Sequence, residues 1–166
     1  MSELVVRPLA EGESEALSRL AREIWLAHYP GIISREQIDY MLDERYSPAA
    51  IRAGMAGQCW RTAWLDGAMT GFAHGYAEAA GSWKLDKLYV HPRHQRQGIG
   101  RALVQAVAAA ARAAGACRLV LRVNRHNTDA LAAYARYGFK VYGEHVLNIG
   151  NGFVMDDYLL EMDLCS

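Results

Sequence analysis

Two glycines stand where an apolar strand passes into an amphipathic helix, and their spacing suits the binding of a phosphate. Gly98 and Gly100 follow the apolar segment 88–90 and open the helical pattern. Because glycine has no Cβ, the backbone can curl tightly and point successive N–H groups at one ligand. The start of the helix adds unsatisfied N–H donors and about half a positive charge of macrodipole. The segment therefore predicts a site for an anionic diphosphate.

The spacing excludes two other glycine-rich phosphate loops. A Walker loop ends in Gly-Lys followed by Ser or Thr, and the chain contains no Gly-Lys dipeptide. A Rossmann fingerprint needs a third small residue at the position that Leu103 occupies. What remains is Gln95-x-x-Gly98-x-Gly100 before a helix. This pattern resembles the pyrophosphate-binding motif of the GNAT superfamily of N-acetyltransferases, which bind acetyl-coenzyme A.

A second segment carries the same resemblance. After a predicted strand, the chain resembles the superfamily's NxxAxxxYxxxGF pattern, with Asn124 ahead of it and then Asn127, Ala130, Tyr134, Gly138 and Phe139. On a helix, the first three positions of the pattern share one face. Gly138 supplies a left-handed stop to that helix. The resemblance is strong over residues 82–139 and elsewhere concerns only the order of elements.

The resemblance implies how the coenzyme is held. The end of the strand would bind pantetheine through its backbone, as an added strand does, and the glycine turn would hold the pyrophosphate. Arg96 is the preferred phosphate contact beside Arg93 and Arg101, although surface arginines are often simply solvated. Asn127 is expected to cap its helix next to the pantetheine. The expected cofactor residues are Leu88, Tyr89, Val90, Gln95, Arg96, Gln97, Gly98, Ile99, Gly100, Arg101, Asn127 and Tyr134.

Transfer of an acyl group to an amine needs a group that takes a proton. An alkylammonium has a pKa near 10.4, so presenting the neutral amine at pH 7 costs roughly 4 to 5 kcal/mol. Asp86 lies on the strand from which family members often supply a base, and we expect it to act as base or orienting group. A solvated strand charge is the alternative, since Lys84 stands where some relatives carry glutamate. Glu78 is a rival that acts through water, or merely pairs with Lys84 or Lys87.

The leaving thiolate needs a proton, and the resemblance assigns the family's general acid to Tyr134. A phenol near pKa 10 protonates a thiolate near 8.5 at a cost of at most about 2 kcal/mol. The alternative is a helix tyrosine packed with its hydroxyl on a loop carbonyl. Tyr137 does not have the family spacing to Gly138. A coenzyme-A-binding regulatory module of the same fold, without turnover, is the alternative function.

The acceptor is less defined by the sequence. Aromatic residues on the early helices form either an acceptor wall or core, namely Trp25, His28, Tyr29 and Tyr40. Asp156 and Asp157 favour a cationic amine such as a polyamine or lysine, and the layout has some similarity to polyamine acetyltransferases. A charged edge strand is the other interpretation of these two residues. We expect a small-molecule or peptide amine acceptor.

Composition bounds the remaining functions. The 166 residues are 52% apolar and carry zero formal net charge, which predicts one domain over residues 1–166 and excludes a nucleic-acid partner. The expected parts are an acceptor-side half (1–82), a cofactor core (83–139) and terminal strands (140–166). No apolar run approaches a membrane span, and the short charged start predicts a cytoplasmic protein. A homodimer is compatible with these observations.

The cysteines and histidines predict no metal site. Three cysteines without CxxC spacing suit reduced, packed thiols rather than a disulfide frame, namely Cys59, Cys117 and Cys165. His91 and His94 flank Pro92 in a loop, where a solvated loop is a simpler interpretation than a ligand pair.

Periodicity and turn residues predict the elements. The segments are strands at 4–7, 58–65, 69–79, 84–90, 118–123, 140–146 and 153–164, and helices at 13–29, 34–45, about 47–54, 98–114 and from Asn127 to Tyr134. The first helix carries Leu17, Leu20, Ile24 and Ala27 on one face. The predicted fold class is α/β (α+β), with a mixed, mostly antiparallel sheet of about seven strands flanked by helices, as in the GNAT acyl-CoA N-acyltransferase fold.

Overall fold

A computed structural model describes residues 3–150 and 152–165 of the chain, without the side chains of residues 149, 153 and 155. Asn151, in the predicted turn before the last strand, lies outside the described residues. The strands are β1 Leu4–Pro8, β2 Cys59–Leu65, β3 Ala68–Ala79, β4 Ser82–Val90, β5 Arg118–Asn124, β6 Lys140–Gly150 and β7 Phe153–Asp163. The helices are α1 Ser14–His28, α2 Arg35–Tyr46, α3 Pro48–Met55, α4 Ile99–Ala113 and α5 Thr128–Tyr137, with short 3-10 turns at Glu11–Glu13 and Pro92–His94.

The strands form one mixed sheet in the order β1-β2-β3-β4-β5-β7-β6. β4 and β5 run parallel, as the intervening helix α4 requires, whereas β1–β2, β2–β3, β5–β7 and β6–β7 are antiparallel. The predicted fold class is thereby confirmed. One interpretation of the sequence is wrong: Asp156 and Asp157 do not lie on an edge strand, because β7 is hydrogen-bonded between β5 and β6.

The described chain divides into two compact units. The first comprises Met1–Gly75 and Lys87–Val107, and its core packs α1, α2 and α3 onto the strands through Leu17, Leu20, Ile24, Trp25, Ile38, Ile51, Trp60 and Phe72. Ala27, predicted to lie with the apolar face of α1, is exposed, and Trp25 is buried instead. The second comprises Tyr76–Asp86 and Ala108–Ser166, with Leu119, Leu121 and Leu160 buried.

Local capping explains where several helices begin and end. Ser34 and Ser47 accept hydrogen bonds from the N–H groups of Gln37 and Ala50 at the starts of α2 and α3. Gly138 ends α5 in the left-handed conformation with φ of 108°, as the sequence predicts.

The cysteine prediction is wrong for two of the three residues. Cys117, after α4, forms a disulfide with Cys165, which follows β7, and both residues are exposed. The backbone explains the pairing: the N–H of Leu164 donates to the carbonyl of Cys117 at 2.8 Å, which brings the two cysteines together. Cys59 remains a free, buried thiol, and burial raises its pKa.

Candidate functional site

The turn before α4 has the geometry of an anion cradle. Gly98 has a φ of +81°, and a Cβ built on it would meet nothing within 4 Å. Arg96 also lies in the left-handed region, with a φ of 65°. The first hydrogen bond of helix α4 runs from the Ala102 N–H to the Gly98 carbonyl, at 3.1 Å. The N–H groups of Gly98, Ile99 and Gly100 come before this bond and so have no acceptor within the helix. A side chain at residue 98 would extend into open space beside this turn.

The segment entering the cradle is fixed by hydrogen bonds within the first unit. The N–H of His91 donates to the carbonyl of Thr70 at 2.8 Å, and His91 Nδ1 accepts from the Arg93 N–H at 3.1 Å. His91 Nε2 lies 3.4 Å from a carboxylate oxygen of Glu23. These contacts hold His91 in place at the start of the turn, so its side chain is not simply solvated.

The expected cofactor residues around the turn divide by exposure. Gln95, Arg96, Gln97 and Arg101 are exposed, whereas Ile99 is 2% exposed and belongs to the core. At Ile99, therefore, the backbone and not the side chain is able to contact a ligand.

The end of β4 approaches its neighbours closely. A Cβ on Gly71 of β3 would lie 2.8 Å from the carbonyl oxygen of Tyr89 and 3.2 Å from Leu103 Cδ1. The Tyr89 ring packs 5.6 Å from the Phe72 ring, between centroids, so this side chain belongs to the core. Leu88, Tyr89 and Val90 are all half-buried. The expectation that their backbone binds pantetheine stays a prediction.

The structure brings together only part of the expected aromatic wall. Trp25 is 4% exposed, its ring lies 4.4 Å from that of Tyr29, and the Tyr29 hydroxyl lies 3.5 Å from the Tyr89 hydroxyl. Tyr40 is instead 64% exposed, and a hydrogen bond to Glu44 raises its pKa. Trp25 and Tyr29 remain placed together, and Tyr40 lies in solvent.

The second unit contains a polar pocket of about 110 Å³, which we call the sheet pocket. Its lining residues are Glu78, Lys84, Val120, Leu121, Arg122, Tyr142, His145 and Leu159. Of the expected proton acceptors, Glu78 lines this pocket, and Asp86 is joined to it by an ion pair with Lys84 at 3.7 Å. Glu78 thus lines the pocket, and Asp86 is linked to the pocket only through Lys84.

A buried carboxylate lies next to the charges of the sheet pocket. Asp157 is 5% exposed and pairs in register with His145 of β6 and Asn124 of β5. Burial raises the pKa of the Asp157 carboxyl, and the opposing effects of Arg122 and His145 only partly offset that rise. Asp156, by contrast, forms an ion pair with Arg125 at 3.0 Å.

Helix α5 places the remaining expected residues. The side chain of Asn127 accepts a hydrogen bond from the Ala130 N–H at 3.2 Å, which confirms the expected cap. Tyr134 is half-buried, and its ring centroid lies 5.6 Å from that of Phe139 and 6.2 Å from that of Tyr137. The ring is held by edge-on aromatic contacts.

Neither a membrane helix nor a metal cluster is found within the described part of the chain. No helix there combines the length and apolar character needed to cross a bilayer. No group of three or more His, Cys, Asp or Glu side chains is arranged to hold a metal ion among those residues.

Comparison with known proteins assigns the family. The model of the Acetyltransferase (GNAT) family matches residues 16–139, which is most of the chain. The chain belongs to the GNAT acetyltransferase family. Within this family, it is 27% identical over 157 residues to the spermidine N(1)-acetyltransferase of Thermoplasma acidophilum, which spans 91% of this chain and 94% of that protein. An uncharacterised N-acetyltransferase of Mycobacterium tuberculosis is 29% identical over 149 residues, or 86% of this chain and 96% of that one.

Solved GNAT structures agree with the sheet and its helices. The PaiA N-acetyltransferase of Thermoplasma acidophilum, in complex with coenzyme A, superposes with a TM-score of 0.83 at 25% identity and covers 97% of this chain and 99% of its own. The ribosomal-protein-S18-alanine N-acetyltransferase of Escherichia coli shares the fold with a TM-score of 0.73 at 18% identity, covering 99% and 96%.

Sequence reasoning missed Arg122, Tyr142 and His145, which line the sheet pocket of this GNAT protein. One signal was present in the sequence. Arg122 is a charged residue between Leu121 and Val123, in a strand that is otherwise largely apolar. A charge in such a strand is retained where its side chain reaches solvent or a partner.

Proposed function

We propose that the chain is an acetyl-CoA-dependent N-acetyltransferase that acetylates a primary amine by direct attack in a ternary complex. The observation that carries the proposal is the cradle at Gly98, with a left-handed glycine, open space where a Cβ would stand, and N–H groups ahead of the helical ladder. These features fit a diphosphate. Bound acetyl-CoA supplies an activated thioester acyl group.

Different parts of the chain are proposed to bind the diphosphate and the pantetheine of the coenzyme. The N–H groups of Gly98 and Gly100 would donate to the diphosphate, and the exposed Arg96 would add a charge-assisted contact. The backbone of residues 88–90 would hold the pantetheine as a strand-like partner. Ile99 contributes by packing, which fixes the start of α4.

Two carboxylates are proposed to act on the acceptor ammonium, one by taking its proton and the other by orienting it. Glu78 lines the sheet pocket, and among the described residues no cation lies within ion-pair distance of its carboxylate, so this carboxylate is available to an amine there. Asp86 shares its charge with the Lys84 ammonium at 3.7 Å. An acceptor amine must compete with Lys84 for Asp86, which favours an orienting role for Asp86 and the proton-accepting role for Glu78.

Tyr134 is proposed to return a proton to the departing thiolate from its hydroxyl. Its support is the match to the family pattern together with a ring held by Phe139 and Tyr137, which limits its orientations. A phenol is matched in acidity closely enough to a thiol for this transfer.

The test combines binding and turnover. Purified protein is mixed with acetyl-CoA and a panel of primary amines, thiol release is followed with a thiol reagent, and products are identified by mass spectrometry. Coenzyme affinity is measured separately by calorimetry. We expect binding together with amine-dependent thiol release; binding without release on any amine would instead indicate a non-catalytic acyl-CoA-binding module.

A further inference from the structure

The sheet pocket carries charges of both signs, and the carboxylates of Asp86 and Asp157 lie beside its lining residues. Lys84 and Arg122 are positive, and Glu78 is negative. We infer that the acetyl acceptor is an amine that also bears a carboxylate, as an amino acid does, rather than a polyamine. The inference rests on the proposed function, because it assigns a substrate class to the same site.

Arg122 is the group best placed to recognise the carboxylate. It lies on β5 between the buried Leu121 and Val123, and the alternation of a strand puts its side chain on the opposite face. Its charge acts on the buried Asp157, yet no carboxylate among the described residues stands within ion-pair distance of its guanidinium. The planar donor fork of arginine fits a carboxylate with two parallel hydrogen bonds.

His145 offers a second polar group to the same ligand. Its Nδ1 atom is shielded from solvent and has no hydrogen-bond partner among the residues that the structure describes. Buried polar atoms in folded proteins almost always have a partner, so a polar ligand group that reached this atom would complete its hydrogen bonding. His145 lines the pocket together with Arg122.

The opposite wall suits the amine. Glu78 provides a carboxylate for an ammonium group, while Lys84 and Asp86 form an ion pair of no net charge beside it. A polyamine would bring further ammonium groups next to the Arg122 guanidinium, and like charges at close range repel. An amino acid pairs each of its charges with an opposite one. This preference would distinguish the chain from its relative named for spermidine.

The experiment compares amines that differ only by a carboxylate. The matched pairs are lysine with cadaverine, ornithine with putrescine, and phenylalanine with phenethylamine, and the readout is kcat/KM for acetylation. We expect the acid-bearing member of at least one pair to be favoured about tenfold or more. In Arg122→Gln that preference should fall about tenfold, while kcat/KM for the diamines stays level or rises. Arg122→Lys, which keeps the charge and loses the fork, should lie between.

Controls separate this inference from the proposed function. Arg22→Gln removes the same charge from an exposed site on α1 and should leave the preference unchanged. Calorimetry with N-acetyllysine and N-acetylcadaverine gives a readout independent of turnover, and only the former should bind more weakly to Arg122→Gln. Preference for the diamines, or equal preference in wild type and Arg122→Gln, would overturn the inference. Absence of turnover on every amine would contradict the proposed function while the binding comparison still decides this one.

Discussion

Gly98→Ala tests the cradle, and the chain supplies a matched control in Gly115→Ala. Gly98 has a φ of +81° and Gly115 a φ of +88°, and in both cases a new Cβ meets nothing within 4 Å. The two glycines lie just before and just after α4. Each substitution therefore carries the same backbone penalty, about 1 to 2 kcal/mol for an L-residue in the left-handed region. Neither adds a steric clash within the protein.

The two variants should differ only in coenzyme affinity. In the proposed complex a methyl group at residue 98 would stand next to the diphosphate, whereas residue 115 lies at the other end of α4. A hydrogen bond to a charged group contributes about 1.5 to 3 kcal/mol. Loss of one such bond corresponds to a dissociation constant for acetyl-CoA that is roughly 10 to 100 times higher. Gly115→Ala should bind acetyl-CoA like the unaltered chain.

Calorimetric titration with acetyl-CoA, paired with denaturant unfolding, measures both quantities. We expect equal losses in the free energy of unfolding and unequal dissociation constants. Equal affinities in the two variants would refute the cradle, since the backbone penalty is common to both. A loss of affinity in Gly115→Ala as large as in Gly98→Ala would show that general destabilisation, rather than a blocked phosphate, is responsible.

Further outcomes follow from other contacts. Tyr134→Phe should lower turnover by roughly 10 to 10³-fold with coenzyme affinity unchanged, and intact turnover would remove the general acid. Gly71→Ala should lose about 1 to 3 kcal/mol on denaturant unfolding, because its Cβ would lie 2.8 Å from a backbone carbonyl, whereas Gly12→Ala meets nothing; equal stabilities would contradict this. Asp157→Asn should be more stable than the wild type at neutral pH. Burial raises the pKa of Asp157 in the folded protein above its value in the unfolded chain, so the wild type loses stability as pH rises from the unfolded to the folded pKa. The difference in stability between Asp157→Asn and the wild type should vanish below about pH 4. A difference that persists at that pH would exclude titration of Asp157 as its cause. Cys165→Ser should cost about 4 kcal/mol in non-reducing buffer and nothing in reducing buffer, since the disulfide spans 48 residues; equal stability without reductant would show that the bond contributes little.

The parts of the fold predicted from the sequence are those set by neighbouring residues. Helix caps at Ser34 and Asn127, the left-handed stop at Gly138 and the glycine turn at Gly98 depend on side chains within a few positions. The strands were predicted for the same reason, because alternation and turn residues are local signals. The last pair shows the limit: β6 extends to Gly150, four residues past its predicted end at Val146.

The errors concern contacts between distant segments. Cys117 and Cys165 are brought together by the hydrogen bond between the end of β7 and the segment after α4, and spacing along the chain does not reveal that bond. The sequence allows Asp157 to lie on a charged edge strand, but β6 pairs with the outer side of β7, so β7 is not an edge strand. Burial then follows from strand order rather than from the residue's own sequence context.

The candidate site also has one part that depends on neighbouring residues and one part that depends on contacts between distant segments. The proposed diphosphate site consists of backbone N–H groups of one turn, so the glycines at 98 and 100 suffice to predict it. The proposed acceptor site consists of side chains that reach one pocket from β3, β4, β5, β6 and β7, and their position next to one another depends on strand order and register. A relative at 27% identity can therefore share the cradle and the fold while a few outward-facing strand residues, such as Arg122, change the acceptor. For this reason the similarity to polyamine acetyltransferases does not by itself assign the substrate, and the inference of an amino-acid acceptor rests on the charges of the sheet pocket.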